Sequence, residues 1–116
     1  MKVIIAGSRT FNNYDLLVQV CEQYLSRYHA YDIEIVSGGA GGADLLGEKY
    51  AKERLLKLKK FPADWTLGKK AGYIRNKQMA EYADDLIAFW DGKSKGTKHM
   101  IDLAKQNNLQ IEVIQV

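Results

Sequence analysis

With 116 residues, 47% of them hydrophobic and 27% charged, the chain suits one compact globular domain over residues 1–116 and leaves no room for a second. No apolar run approaches the ~20 residues of a membrane span, and the N-terminus opens on a strand-like run rather than a signal-peptide core, so a cytoplasmic protein with no membrane partner is expected. The net charge is only +3, but residues 51–77 hold nine Lys and Arg against Glu53 and Asp64, a basic middle third that reads first as a solvated helix surface and second as a polyanion patch.

In chain order, β-branched or apolar runs fall at Val3–Ala6, Ile33–Val36, a weaker Leu56–Lys59 stretch ending at Phe61, Leu86–Trp90 and Ile111–Ile114, which predicts five strands. Between them apolar residues recur at three- and four-residue spacing. Leu17, Val20, Cys21, Tyr24, Leu25 and Tyr28 mark a first helix, and Leu46, Tyr50, Ala51 and Leu55 a second. Ile74, Met79, Tyr82 and Ala83 mark a third, and Met100, Ile101 and Ala104 a fourth. Strands alternating with helices predict an α/β, three-layer Rossmann-like domain with a parallel sheet, because parallel neighbours need right-handed helical crossovers. The expected strand order is 3-2-1-4-5. The chain then reverses direction between strands 1 and 4 and opens a crevice at their carboxyl ends.

Three glycine-bearing loops follow strands 1, 2 and 4: Gly7-Ser8-Arg9, Ser37-Gly38-Gly39-Ala40-Gly41-Gly42-Ala43-Asp44, and Asp91-Gly92-Lys93-Ser94-Lys95-Gly96-Thr97. Glycine removes the β-carbon that keeps backbone from a ligand, and the first turn of the next helix offers unpaired N–H groups and a positive dipole end, a combination suited to phosphate. Each loop alone also reads as a tight turn, with Ser94 and Thr97 as helix caps and Asp44 as a first-turn carboxylate. No Gly-Lys-Ser/Thr follows the glycines and no GxGxxG follows strand 1, which excludes a Walker loop and a dinucleotide fingerprint.

Arg9 and the Arg75-Asn76 pair flank the crevice, and an arginine grips phosphate with two parallel hydrogen bonds; surface solvation is the plain alternative for both arginines. Trp90, at the end of strand 4, reads as core, and Asp64-Trp65 as a cover over the pocket. Cys21 lies on an apolar stripe and reads as a buried small hydrophobe. Its being the only cysteine excludes an intrachain disulfide, and with His29 and His99 isolated neither metal nor cofactor is called for. His29 reads as a helix end. His99, in the first turn of the fourth helix, is the imidazole that approaches the crevice, and it stands with Arg75 as a catalytic candidate.

Five ordered motifs together, Gly7-Ser8-Arg9-x-Phe11, Ser37-Gly38-Gly39-Ala40-x-Gly42-Ala43-Asp44, Ala63-Asp64-Trp65, Ala71-Gly72-x-x-Arg75-Asn76-x-x-Met79 and Trp90-Asp91-Gly92-x-Ser94-x-Gly96-Thr97, resemble the SLOG superfamily in its short YspA-related branch. The resemblance runs from residue 3 to about residue 105. It implies a Rossmann-like domain that binds a nucleotide or nucleotide-derived ligand, with a sensor role as one use and a homodimer as one assembly. The expected ligand-binding set is Gly7, Ser8, Arg9, Ser37, Gly38, Gly39, Ala40, Gly41, Gly42, Asp44, Arg75, Asn76, Asp91, Ser94, Gly96 and Thr97.

Two relatives in the superfamily supply alternatives. The LOG phosphoribohydrolases carry a similar first glycine motif, an Arg-Lys pair before a Met, and a second motif ending Gly-Thr-x-Glu. Here the arginine is matched by Arg75, while Asn76 replaces the lysine and His99 the glutamate, which weakens cleavage of the N-glycosidic bond of a nucleoside 5′-monophosphate as an activity. The DprA family is similar at Gly7-Ser8-Arg9 and Val36-Ser37-Gly38-x-Ala40-x-Gly42-x-Asp44, which implies single-stranded nucleic acid as a further partner class.

Overall fold

The computed structural model describes residues 1–116. Five strands form one parallel sheet: β1 (Lys2–Gly7), β2 (Glu34–Ser37), β3 (Lys57–Lys60), β4 (Asp85–Trp90) and β5 (Gln110–Gln115), in the order β3-β2-β1-β4-β5. The helices are α1 (Tyr14–Leu25), α2 (Ala43–Glu53), α3 (Ala71–Tyr82) and α4 (Lys95–Gln106), with 3-10 turns at Ala30–Asp32 and Trp65–Lys70. The α/β Rossmann-like architecture and the strand order expected from the alternation are both present. No helix is long and apolar enough to cross a membrane.

Residues of β1 alternate between two cores. Val3 and Ile5, with Ile35, Ile87 and Phe89, face Leu17 and Cys21 of α1 and Tyr50 and Ala51 of α2. Ile4 and Ala6, with Val36, Leu86 and Ala88, face Met79 of α3 and Met100 and Ala104 of α4. Burial on both faces explains why β1 and β4 read as continuous apolar runs. At the edge, β3 keeps only Leu58 half-buried among exposed lysines, a common way of blocking sheet-to-sheet association.

Two local readings are corrected. The first helix ends at Leu25, so Tyr28 lies in the following turn and His29 opens the first 3-10 turn rather than ending a helix. Tyr28 matched the stripe because it packs half-buried on the same core. On α3 the polarity is inverted: Ile74 is exposed, whereas Arg75 and Asn76 are buried beside Met79. Their partners lie on distant loops, so a periodicity count sees two surface residues.

α2 and α4 each end in a left-handed residue, Leu55 (φ 55°) and Asn108 (φ 61°). In both ends the paired capping bonds form: Leu55 N–H to Lys52 O and Leu56 N–H to Ala51 O, then Asn108 N–H to Lys105 O and Leu109 N–H to Ala104 O. Asparagine tolerates this conformation, but leucine is strained there, and Leu55 is 91% exposed, so packing does not offset the strain. Leu55→Gly is expected to raise unfolding free energy by about 1 kcal/mol in urea titration; an unchanged or lower midpoint would contradict the strain.

Candidate phosphate-binding cleft

The carboxyl ends of β1, β2 and β4 are tied together through backbone. Ser8 N–H donates to Phe89 O at 3.0 Å, and Ser8 O accepts Phe11 N–H at 3.1 Å and Ala43 N–H at 3.4 Å. Its hydroxyl accepts the Asp91 N–H at 3.2 Å. The start of α2 therefore lies against the β1 loop. Gly42, at φ 66°, makes this fit, because a β-carbon there would stand 2.2 Å from Ser8 O. Gly7 is equally confined, 2.3 Å from Phe89 O by the same construction.

Behind the glycine loop is a buried polar network. The Ser37 hydroxyl donates to Glu48 Oε2 at 2.8 Å and accepts Gly39 N–H at 3.1 Å, and Lys60 reaches Glu48 Oε1 at 3.3 Å. Asp44 Oδ2 accepts Ala40 N–H at 3.2 Å. The amides of Gly41, Gly42, Asp44 and Leu45, at and before the first turn of α2, have no partner within the protein. Burial pushes the Asp44 carboxyl up to about 6, against the opposing pull of the Ala40 amide and the Arg75 charge.

Arg75 crosses from α3 into this loop. Its Nη1 donates to Gly38 O at 2.5 Å and its Nε to Asn76 Oδ1 at 3.2 Å. A β-carbon on Gly38 would meet Arg75 Cδ and Asp44 Oδ2, each at 3.0 Å, so the loop backbone is clasped between them. Surface solvation is excluded for Arg75, which is 9% exposed, while Arg9 is exposed beside it. The ion pairs of the molecule are Arg54–Glu22, Lys60–Glu48 and Lys98–Asp102; neither Arg9 nor Arg75 takes part in one. Burial lowers the Arg75 pKa, Asp44 opposes the shift and Arg9 adds to it, so two guanidinium charges repel one another across the cleft.

Because Arg75 Nε fixes the Asn76 carbonyl, the Asn76 amide nitrogen is turned outward. It donates to Gly96 O at 3.3 Å and approaches His99 Nδ1 at 3.2 Å. His99 Nδ1 is thus the acceptor, the ring proton sits on Nε2, and burial lowers the imidazole pKa. In the β4 loop Asp91 Oδ1 accepts Lys93 and Ser94 N–H, both at 2.8 Å, which holds its carboxyl below the usual range. The Ser94 hydroxyl lies 3.0 Å from that of Thr97 and accepts the Thr97 N–H at 3.4 Å, capping α4. Trp90 Nε1 donates to Ser94 O at 3.1 Å, consistent with a structural tryptophan.

Arg9 after β1, the start of α3 with the turn before it, and Gly96 at the start of α4 surround a cleft of about 460 Å³, within the usual range for small ligands. Three cations line it, Arg9, Lys69 and Arg75, together with Trp65, Tyr73, Asn76 and the bare backbone of Gly72 and Gly96. The lining holds no carboxylate. Of the expected site residues, Arg9, Arg75, Asn76 and Gly96 reach the cleft directly, and Gly38 joins through Arg75. Gly39, Ala40, Gly41 and Gly42, which form the loop between Gly38 and α2, and Ser94, which caps α4, do not line this cleft, contrary to expectation. Gly7, Ser37, Asp44 and Thr97 are enclosed and hold the loops in place. Ser8 and Asp91 line a different hollow with Thr10, Asn12 and Gln115, and His99 lines another with Lys95, Lys98 and Asp102. Lys69 and Tyr73 in the cleft, and Glu48 beneath it, were not singled out by sequence; Glu48 follows Asp44 by one helical turn, a spacing that marks one face of α2.

Asp44 protonates more readily folded than unfolded, so its contribution to stability is greatest at low pH and declines as pH rises from about 3.8 to about 6. Asp44→Asn is expected to remove a decline of about 2 kcal/mol across that window in chemical denaturation. Parallel curves for the two proteins would place Asp44 in a solvated setting.

The first 68 residues match a family model described as the YspA, cpYpsA-related SLOG family. The chain is similar to the Gene 61 protein of Mycobacterium phage D29, 33% identical over 117 residues that cover 95% of this chain and 93% of that protein. It also shares a fold with DNA processing protein A from Helicobacter pylori, solved in work on that protein's single-stranded DNA binding mode, at a TM-score of 0.68 and 20% identity. That likeness covers 97% of this chain but only 64% of the neighbour. The clasped glycine loop, the ordered motifs and the family match together lead to one conclusion: the chain belongs to the YspA, cpYpsA-related SLOG family.

Proposed function

We propose that residues 1–116 act as one unit that binds a nucleotide or nucleotide-derived ligand through its phosphate. The observation that carries this reading is the unpaired cation set: Arg9, Lys69 and the buried Arg75 line one cleft without an acidic neighbour in its wall. A buried guanidinium ordinarily acquires a carboxylate partner in direct contact, and Arg75 has none. A phosphate on this cleft neutralises charges that otherwise repel. The enclosed Asp44, Ser37 and Thr97 act as positioning residues that set the loop geometry before the ligand arrives.

Glycosidic cleavage has less support, because an oxocarbenium-like transition state is stabilised by a carboxylate and the cleft wall contains none. A second reading, single-stranded nucleic acid, is favoured by the fold shared with the Helicobacter pylori protein and by the aromatic and basic residues side by side in an open cleft.

Isothermal titration calorimetry with AMP, ADP and ADP-ribose tests the first reading. At least one is expected to bind, and Arg9→Ala, a surface change, to weaken it by about 1.5–3 kcal/mol, the contribution of a charge-assisted hydrogen bond. Absence of binding by all three would overturn it. Tight oligonucleotide binding that falls steeply with salt, without mononucleotide binding, would establish the second reading instead.

A further inference from the structure

Resting on the phosphate site proposed above, we infer that Trp65 and Tyr73 form the base-recognition platform of this cleft, so that its ligand is a nucleoside 5′-phosphate whose base stacks on the Trp65 indole. Trp65 is 59% exposed and Tyr73 48%, although both are large apolar groups. Trp65 stacks on no ring and under no cation within the protein, whereas His29, Phe61 and Tyr82 each meet another ring. The backbone that carries it is anchored. The Asp64 carboxylate accepts Thr66 N–H at 3.1 Å and starts the 3-10 turn that carries the indole over Gly72. Tyr73 is held upright by an edge contact with His99, with ring centroids 4.4 Å apart and planes at 73°.

Gly72 gives the distance that matters. A β-carbon placed there would lie 3.9 Å from Trp65 Cη2 and 3.7 Å from Arg75 Nη2, so indole and guanidinium are separated by less than the sum of these two lengths. Both groups are therefore within reach of one nucleoside 5′-phosphate, with phosphate on Arg75 and base on Trp65. Ribose 5-phosphate alone satisfies the charges but leaves the indole bare. Indole and phenol rings read the π-face of a base rather than its edge, so the platform is tolerant of base identity.

Calorimetry comparing inorganic phosphate, ribose 5-phosphate, AMP and UMP decides the matter. AMP and UMP are expected to bind within a few-fold of one another and roughly 5- to 150-fold tighter than ribose 5-phosphate, the range for one base on one aromatic side chain. Trp65→Ala removes that advantage and leaves ribose 5-phosphate unchanged, while Trp65→Phe retains most of it. AMP quenches tryptophan emission in the wild type and not in Trp65→Phe, where Trp90 remains. Equal affinities for AMP and ribose 5-phosphate, or an advantage that survives in Trp65→Ala, overturn the platform and leave the phosphate site standing. Failure of all four ligands to bind overturns both.

Discussion

A β-carbon on Gly42 would lie 2.2 Å from the Ser8 carbonyl oxygen, and one on Gly7 2.3 Å from that of Phe89. Neither gap admits even the smallest side chain. The bare backbone at these two positions lets α2 start directly against the β1 loop and lets that loop rest on the end of β4. The cleft depends on this closeness: Arg9 on one rim and Gly96 on the other line a single hollow with Arg75 between the loops. The crevice expected at the reversal of strand order is therefore narrowed by glycine packing as much as it is opened by topology.

Arg75 gives the crevice its electrostatic character. It is anchored on Gly38 O and on Asn76, and through Asn76 it reaches Gly96 O and His99, so one residue of α3 connects the loops after β2 and β4. The guanidinium has backbone and amide hydrogen-bond partners but no direct ion pair, and its nearest opposing charge is Asp44 across Gly38. Asp44 lies on the other side of Gly38, with burial raising its carboxyl to about 6. The loop is thus preorganised by charge-assisted hydrogen bonds to Glu48, Asp44 and Arg75, and Arg75 Nη2, turned toward Gly72, carries no bond within the protein.

The fold was legible because two-sided burial leaves a plain mark: Val3–Ala6 and Leu86–Phe89 are unbroken apolar runs, and the helices between them carry spaced apolar residues. β3 was the faintest strand, since an edge position needs only Leu58 to turn inward. The glycine loops were legible from composition, and Arg9 and Arg75 from their position after strands and before a Met. Local pattern failed where long-range partners decide orientation. Arg75 and Asn76 turn inward only because Gly38 O and Gly96 O await them, and Ile74 is displaced outward as a result. Tyr73 and Lys69 carried no signal at all, because exposure within a cleft and exposure to bulk solvent look alike in a sequence.

The most direct test of the proposed anion site is backbone amide NMR of the whole protein during titration with inorganic phosphate. Saturable shifts are expected at the amides of Arg9, Lys69, Gly72, Tyr73 and Gly96, with smaller changes on the lysine-rich outer face around Lys57, Lys59 and Lys60. Shifts concentrated on that outer face, with the cleft amides unmoved, would contradict an anion site in this cleft.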